Sequence, residues 1–277
     1  MRIDLHTHST ASDGLFTPAD LLHAAQVAGI TTLALTDHDT TDGIGEAQAT
    51  GRVLGIEVIA GIEVNTDIPC GGGEAHVLGY FVQVARPAFQ AQLTQRRQER
   101  EARGQQMVAQ LNAAGLPITW EQVRGYADGA VGRPHVAAAL MAIGAVSSVS
   151  EAFERYLGRG MAGYVPRVSF TPSQAIALIH SGGGIASLAH PADIPNLEAL
   201  LATLTADGLA GLETYYGQYN HATVARLRAL AQRFSLIPTG GSDYHGPNIH
   251  PTPLGGQPPL PVTSLEALRR ATAQTSL

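Results

Sequence analysis

Two histidines two residues apart, His6 and His8, follow a short apolar run at the start of the chain, and Asp13 stands five residues beyond them. In a β-strand residues i and i+2 share a face, so a strand ending here delivers both imidazoles to one cation. Further residues of the same chemical kind are His38, Glu63, His76, His190, Asp243 and His245. Together these nine groups offer only nitrogen and oxygen donors, a set that suits Zn, Mn or Fe-type cations. One ion takes about four to six donors, so a multinuclear centre is expected, with Glu63 as the natural bridging carboxylate. Clustered divalent cations bring the pKa of a bridging water into the neutral range, supply hydroxide as nucleophile and neutralise charge building up on a phosphoryl group. No rival nucleophile is offered. Cys70 stands alone in a Pro-Cys-Gly-Gly-Gly loop, no G-x-S-x-G elbow occurs, and the glycines at 71 to 73 and 182 to 184 lack the lysine and hydroxyl of a phosphate-binding loop.

The elements that must carry these groups alternate. The opening stretch reads as a first strand that delivers His6 and His8, and Thr17-Pro18-Ala19-Asp20 opens a helix that Gly29 closes. The run 31–36 is a second strand ending at Asp37-His38-Asp39, 42–54 a helix, 56–64 a third strand carrying Glu63, and 74–81 a fourth carrying His76. From 88 to 163 only helical patterns appear: a long helix over 88–114, a capping-box start at Thr119-Trp120-Glu121-Gln122, and shorter helices over 134–143 and 149–157. Alternation then resumes, with Thr171-Pro172-Ser173-Gln174 opening a helix and strands ending near His190, Tyr215 and Asp243. A last helix is expected over 263–274. Seven strands alternating with helices predict a parallel α/β barrel, 1–87 with 164–277, interrupted by a helical insertion, 88–163. In such a barrel the C-terminal strand ends converge on one face. His6, His8, His38, Glu63, His190, Asp243 and His245 all fall there; Asp13 lies in the first loop on that face, and an inward His76 points to the same centre.

Composition restricts the function classes. Hydrophobic residues make up 44% and charged residues 14% of the 277 positions, the balance of a soluble protein with a substantial core. The net charge of -6 argues against charge-driven binding to duplex nucleic acid. All 17 basic residues are arginine, which GC-rich codon usage explains, and each is a fork suited to phosphate. A single cysteine excludes a disulfide framework and a thiolate metal site. Long stretches without formal charge, such as 134–150 and 168–192, are broken by Pro, Gly, Ser and His, so no membrane span is expected. A cytoplasmic protein is expected, with a monomer as the working state.

Asp4-Leu5-His6-Thr7-His8, Ser12-Asp13-Gly14, Leu35-Thr36-Asp37-His38-Asp39, Gly61-Ile62-Glu63, His76-Val77-Leu78-Gly79, Ala189-His190-Pro191 and Gly241-Ser242-Asp243-Tyr244-His245 resemble, in order, the motifs of the PHP (polymerase and histidinol phosphatase) family. The resemblance implies a distorted (β/α)7 barrel and three divalent metal ions. It places His6, His8, Glu63 and Asp243 on the first metal, Glu63, His76 and His190 on the second, and Asp13, His38 and His245 on the third. Asp243 is then also a plausible proton acceptor from the attacking water. Gly132-Arg133-Pro134-His135 in the insertion resembles nucleoside 3',5'-bisphosphate phosphatases and 5'-to-3' exoribonucleases of short RNA, where these residues reach substrate phosphate. Arg133, His135 and Arg167 are therefore substrate-binding candidates, whereas the arginines at 96, 97, 100 and 103 read as a solvated helix face. Two departures bear on the substrate: Met161 stands where relatives often have lysine, and Ala192-Asp193 follows His-Pro where they have Gly-Arg. Histidinol phosphatase is the rival enzyme reading, and a non-catalytic metal-binding module the rival of another class.

Overall fold

The computed structural model describes residues 1–69, 72–126, 131–166, 169–247, 252–256 and 258–275. Cys70 and Arg167 lie outside the described residues. The chain divides into two units, Met1–Gln92 with Ser169–Leu277 and Leu93–Val168, a few residues beyond the boundaries expected from sequence.

The strands are β1 (Ile3–Thr7), β2 (Thr32–Leu35), β3 (Glu57–Asp67), β4 (Glu74–Tyr80), β5 (Ile185–Leu188), β6 (Gly211–Tyr216) and β7 (Ile237–Gly241), paired in chain order. The helices are α1 (Pro18–Val27), α2 (Ile44–Leu54), α3 (Pro87–Ala113), α4 (Trp120–Arg124), α5 (Arg133–Ala142), α6 (Val149–Ala152), α7 (Pro172–Ser181), α8 (Leu197–Ala206), α9 (His221–Arg233) and α10 (Val262–Thr275). Local chemistry sets several starts. The Thr17 hydroxyl accepts the Asp20 N–H at 3.1 Å ahead of α1, and Thr171 and Gln174 cap α7 reciprocally at 3.3 and 2.8 Å. No described helix is long and apolar enough to cross a membrane.

β1, β2 and β5 are buried at every position, which strands covered on both faces require. α1 and α2 cover β2 through Leu21, Leu22, Ile44 and Ala47 against Leu33 and Leu35, while Leu260, Leu265 and Leu268 pack with Ile3 and Leu5 of β1. The second unit has its own core, in which Leu111, Val123, Val136, Leu140 and Leu157 are buried together.

The sheet departs from an all-parallel barrel at one strand: β4 runs antiparallel to both β3 and β5. Only residues 68–73 separate β3 from β4, whereas a parallel crossover needs about a dozen or more. The reversal puts the start of β4, rather than its end, on the rim where the parallel strands finish. His76 is thereby paired in register with Asn65, two residues beyond Glu63.

β1 and β7 nearly close the barrel. Asp243 N–H donates to the His6 carbonyl at 2.9 Å and His8 N–H to the Tyr244 carbonyl at 2.9 Å. Glycine is required at 241, because a Cβ there would stand 2.4 Å from the His6 nitrogen. Asp4, fully buried, pins this seam: Oδ1 accepts from Ser242 N at 2.9 Å and His6 N at 3.3 Å, and Oδ2 from the Ser242 hydroxyl at 2.6 Å and Gly255 N at 2.7 Å. An amide nitrogen in place of either oxygen faces donors it cannot accept. Asp4→Asn is therefore expected to lower stability by about 1–3 kcal/mol, read as an earlier thermal unfolding transition in chelator-treated protein. An unchanged transition would show that the seam does not rely on this carboxylate.

Candidate metal centre

The nine sequence-predicted groups meet at the rim around one side chain. Glu63 is 1% exposed, and its two oxygens divide five imidazoles between them. His6 Nε2 and His8 Nε2 lie 3.1 Å from Oε2, and His38 Nδ1 lies 3.2 Å from it. His76 Nδ1 lies 2.9 Å and His190 Nε2 3.2 Å from Oε1. Asp243 Oδ1 approaches both His6 Nε2 and His8 Nε2 at 3.2 Å. Half-exposed Asp13 faces His245 Nε2 at 3.3 Å, His38 Nε2 at 3.7 Å and His8 Nδ1 at 3.8 Å.

The donor set fits cations. Three groups have donor atoms all within 4.8 Å of one another: His6, His8, Glu63 and Asp243; His38, Glu63 and His76; and His8, Asp13, His38 and His245. Compared with the division expected from sequence, His38 also joins the Glu63–His76 group and His8 also joins the Asp13 group, while His190 sits against Glu63 Oε1 beside His76. Both ring nitrogens of His8 and Nδ1 of His38 are buried and make no hydrogen bond, although Glu63 Oε2 is within 3.2 Å of His8 Nε2 and His38 Nδ1. These nitrogens and the carboxylate oxygen are close but out of line for a hydrogen bond, the disposition expected of donors aimed at a common point between them.

Burial and charge contend in the heart of the cluster. Burial alone would push Glu63 up, but His38, His6, His76 and the hydrogen bond from His190 hold it well below the usual carboxylate range. Asp243 behaves alike: burial raises it, and His6 and His8 pull it well down. Asp13 is lowered by His245 and His38 against the effect of burial. Burial drives His8 down, yet the Asp243 and Glu63 carboxylates more than offset this and lift it to about 10. His6 is likewise raised well above its ordinary value, burial being overcome by Glu213, Asp243 and Glu63. His38 loses this contest, and burial lowers it to about 4.

A layer of residues with no role foreseen from sequence holds the donors in place. Asp37 accepts the Ser9 N–H, the Ser9 hydroxyl and the Ser12 hydroxyl, each at 2.7 Å, fixing the loop that carries Asp13. The Tyr216 hydroxyl donates to Asp243 Oδ2 at 2.9 Å, which turns Oδ1 toward the histidines. Glu213 accepts from His6 Nδ1 at 2.9 Å and from the His190 N–H at 2.7 Å. A carboxylate inside the apolar strand Leu212-Glu213-Thr214 was the one available signal for it. His190 and Asp243 also hold left-handed backbone angles, φ 25° and 54°, strain that functional sites commonly carry.

Arg133 and His135 lie in the second unit, on the first turn of α5. The Arg133 guanidinium carbon is 5.2 Å from the Phe153 ring centroid, and His135 Nδ1 accepts the Gly132 N–H at 2.9 Å, so a neutral His135 carries its proton on Nε2 as a donor. Ala192 is held in the turn after His190 by the Tyr219 hydroxyl, which accepts its N–H at 2.9 Å, and Met161 is 42% exposed.

A family model described as "PHP domain" matches residues 4–117. The chain is 36% identical over 250 residues to a protein of Haemophilus influenzae named 5'-3' exoribonuclease, covering 89% of this chain and 90% of that one. It is 34% identical over 265 residues to a 3',5'-nucleoside bisphosphate phosphatase of Chromobacterium violaceum, covering 94% and 92%. A solved structure from Chromobacterium violaceum, described as an amidohydrolase with bound sulfate and no metal, superimposes with a TM-score of 0.82 at 31% identity, covering 99% and 97% of the two chains.

The raised histidines determine how the metal-free protein responds to pH. A histidine whose pKa is raised on folding contributes stability that is complete below its unfolded value near 6.5 and is lost as pH rises through the folded value. For His8 that interval runs from about 6.5 to about 10, and His6 acts in the same sense. Glu63 and Asp243, both depressed, stay ionised throughout it. The thermal unfolding temperature of chelator-treated protein is expected to fall across this window. A cation replaces the protons on these nitrogens, so metal uptake near neutral pH is expected to release protons, detectable by calorimetry in buffers of different ionisation enthalpy. A flat stability profile together with proton-free uptake would contradict this electrostatic picture.

Proposed function

We propose that this chain, which belongs to the PHP family and is a phosphoric ester hydrolase, uses three divalent ions to hydrolyse phosphate esters of nucleotides: nucleoside 3',5'-bisphosphates or the 5'-phosphorylated ends of short RNA. The observation that carries the reading is the partition of five imidazoles between the two oxygens of buried Glu63, with Asp243 and Asp13 on either side. Divalent cations held there would supply the acidification of a hydrolytic water into the neutral range and the charge that offsets the phosphoryl group. His6, His8, Glu63 and Asp243 would hold one ion, Glu63, His76 and His190 a second, and Asp13, His38 and His245 a third. Mn, Fe and Zn all accept this donor set.

The chain's own groups do the rest. Glu63 would be shared by the first two ions, and its depressed pKa keeps it ionised at neutral pH. Asp243 Oδ1 is the acceptor for a proton leaving the attacking water, because Oδ2 is engaged by Tyr216. Arg133 offers a bidentate fork and His135 an Nε2 donor for a non-reacting phosphate, beside the N–H groups at the start of α5. Arg167 is a further candidate for the same phosphate. The relatives' names favour a nucleotide or RNA end over histidinol phosphate, and retention of all nine donor residues argues against a non-catalytic module.

A substrate panel on manganese-loaded protein separates these readings. Adenosine 3',5'-bisphosphate and 5'-phosphorylated oligoribonucleotides are expected to be hydrolysed with a higher kcat/KM than histidinol phosphate, and chelation is expected to abolish turnover. Glu63→Gln is expected to cost more than the about 10–100-fold that follows loss of a partner outside the metal's own ligands. Arg133→Ala is expected to raise KM for the bisphosphate about tenfold or more, the equivalent of one charge-assisted hydrogen bond, with little change in kcat. Preference for histidinol phosphate, or full activity without metal, would sink the assignment.

A further inference from the structure

Glu213 belongs to β6, is completely buried, and is not among the groups aimed at the centre of the cluster. Its two oxygens are divided between two donors. Oε1 lies 2.9 Å from His6 Nδ1, and Oε2 accepts the backbone N–H of His190 at 2.7 Å. The same two histidines flank Glu63 on opposite oxygens, His6 Nε2 at 3.1 Å from Oε2 and His190 Nε2 at 3.2 Å from Oε1. Their rings stack with centroids 6.0 Å apart and planes inclined by 19°. Glu213 thus lies behind the His6 imidazole and against the His190 backbone, while Glu63 faces both rings.

The hydrogen bond at His6 has a chemical consequence. A carboxylate oxygen accepts, so Glu213 keeps a proton on His6 Nδ1, and Nε2, which faces Glu63 and Asp243, is the nitrogen left to give up its proton to a cation. The contact at His190 is of another kind: its backbone stands at φ 25°, and the N–H bond to Oε2 holds the strained turn that aims Nε2 at Glu63. We propose that Glu213 is a positioning residue that locks His6 in the Nδ1-protonated tautomer and clamps the backbone of His190, so that one carboxylate sets two ligands of the centre. The inference rests on the metal-centre reading above.

Glutamine is the discriminating replacement because it is nearly isosteric yet has a single acceptor oxygen for two donors. If that oxygen serves the His190 N–H, the amide NH2 faces His6 and forces the proton onto Nε2, where it blocks a cation. If the oxygen serves His6, the His190 N–H is left facing a donor and the strained turn loses its clamp. Both orientations weaken metal binding.

The test is zinc affinity of the full chain, measured by competition with a chelator, for wild type and Glu213→Gln. A loss of about 10–100-fold is expected in the variant; equal affinities overturn the proposal while leaving the metal centre intact. A wild-type chain that takes up no zinc overturns the metal-centre reading and this inference with it. Should Glu213→Gln not fold, nitrogen-detected NMR of the zinc-loaded wild type decides alone. A hydrogen-bonded proton on His6 Nδ1 with a metal-shifted Nε2 is expected, and a proton on Nε2 overturns the assignment.

Discussion

Keeping one carboxylate ionised and buried among imidazoles is the constraint around which the rim is arranged. Glu63 is removed from water, which by itself would drive it toward the neutral acid, and five histidines around its two oxygens reverse that tendency. The charge is thereby maintained at the barrel centre, but the histidines are left in conflicting states: His8 is raised and His38, competing for the same oxygen, is lowered. Protons alone satisfy such a cluster poorly, as the buried nitrogens of His8 and His38 that make no hydrogen bond show. Cations that accept several donors at once resolve the conflict.

Holding that arrangement falls to polar groups behind the donors. Asp4 ties β1, the Ser242 turn and Gly255 together, so the strand bearing His6 and His8 and the turn bearing Asp243 are fixed by one carboxylate. Asp37 does the same for the Asp13 loop through two serines. Tyr216 engages the outer oxygen of Asp243, and Glu213 reaches two histidines. Each fully engaged acceptor removes a rotamer choice from a neighbouring donor, and an incompletely engaged one would be costly at this depth. Stability and site geometry are coupled here through hydrogen bonds rather than apolar packing alone.

The two units follow different rules. The barrel is built from strands buried on both faces and from helices with capped starts, and its parallel order is broken by the reversal of β4. That reversal brings His76 to the rim from the beginning of a strand. The second unit is helical, with its own apolar core beneath α5, and offers Arg133 and His135 on the first turn of that helix.

Much was legible in the sequence because it rests on local rules. The alternation of apolar runs with capped helices located all seven strands, the period-2 spacing paired His6 with His8, and the presence of a single cysteine confined the site to imidazole and carboxylate donors. The nine candidate donors were named from motif order, and the structure brings them to one rim. The tertiary structure alone decided three matters. It turned β4 antiparallel, because the stretch from 68 to 73 is too short for the crossover that elsewhere gives parallel neighbours. It arranged the histidines around Glu63 in groups that share His8 and His38, since distances across a barrel rim depend on strand register rather than on spacing along the chain. And it gave Asp4, Asp37, Glu213 and Tyr216 their purpose: a buried polar residue inside an apolar strand signals that a partner exists, but the partner is named only when residues 207 positions apart, such as His6 and Glu213, are brought within 2.9 Å.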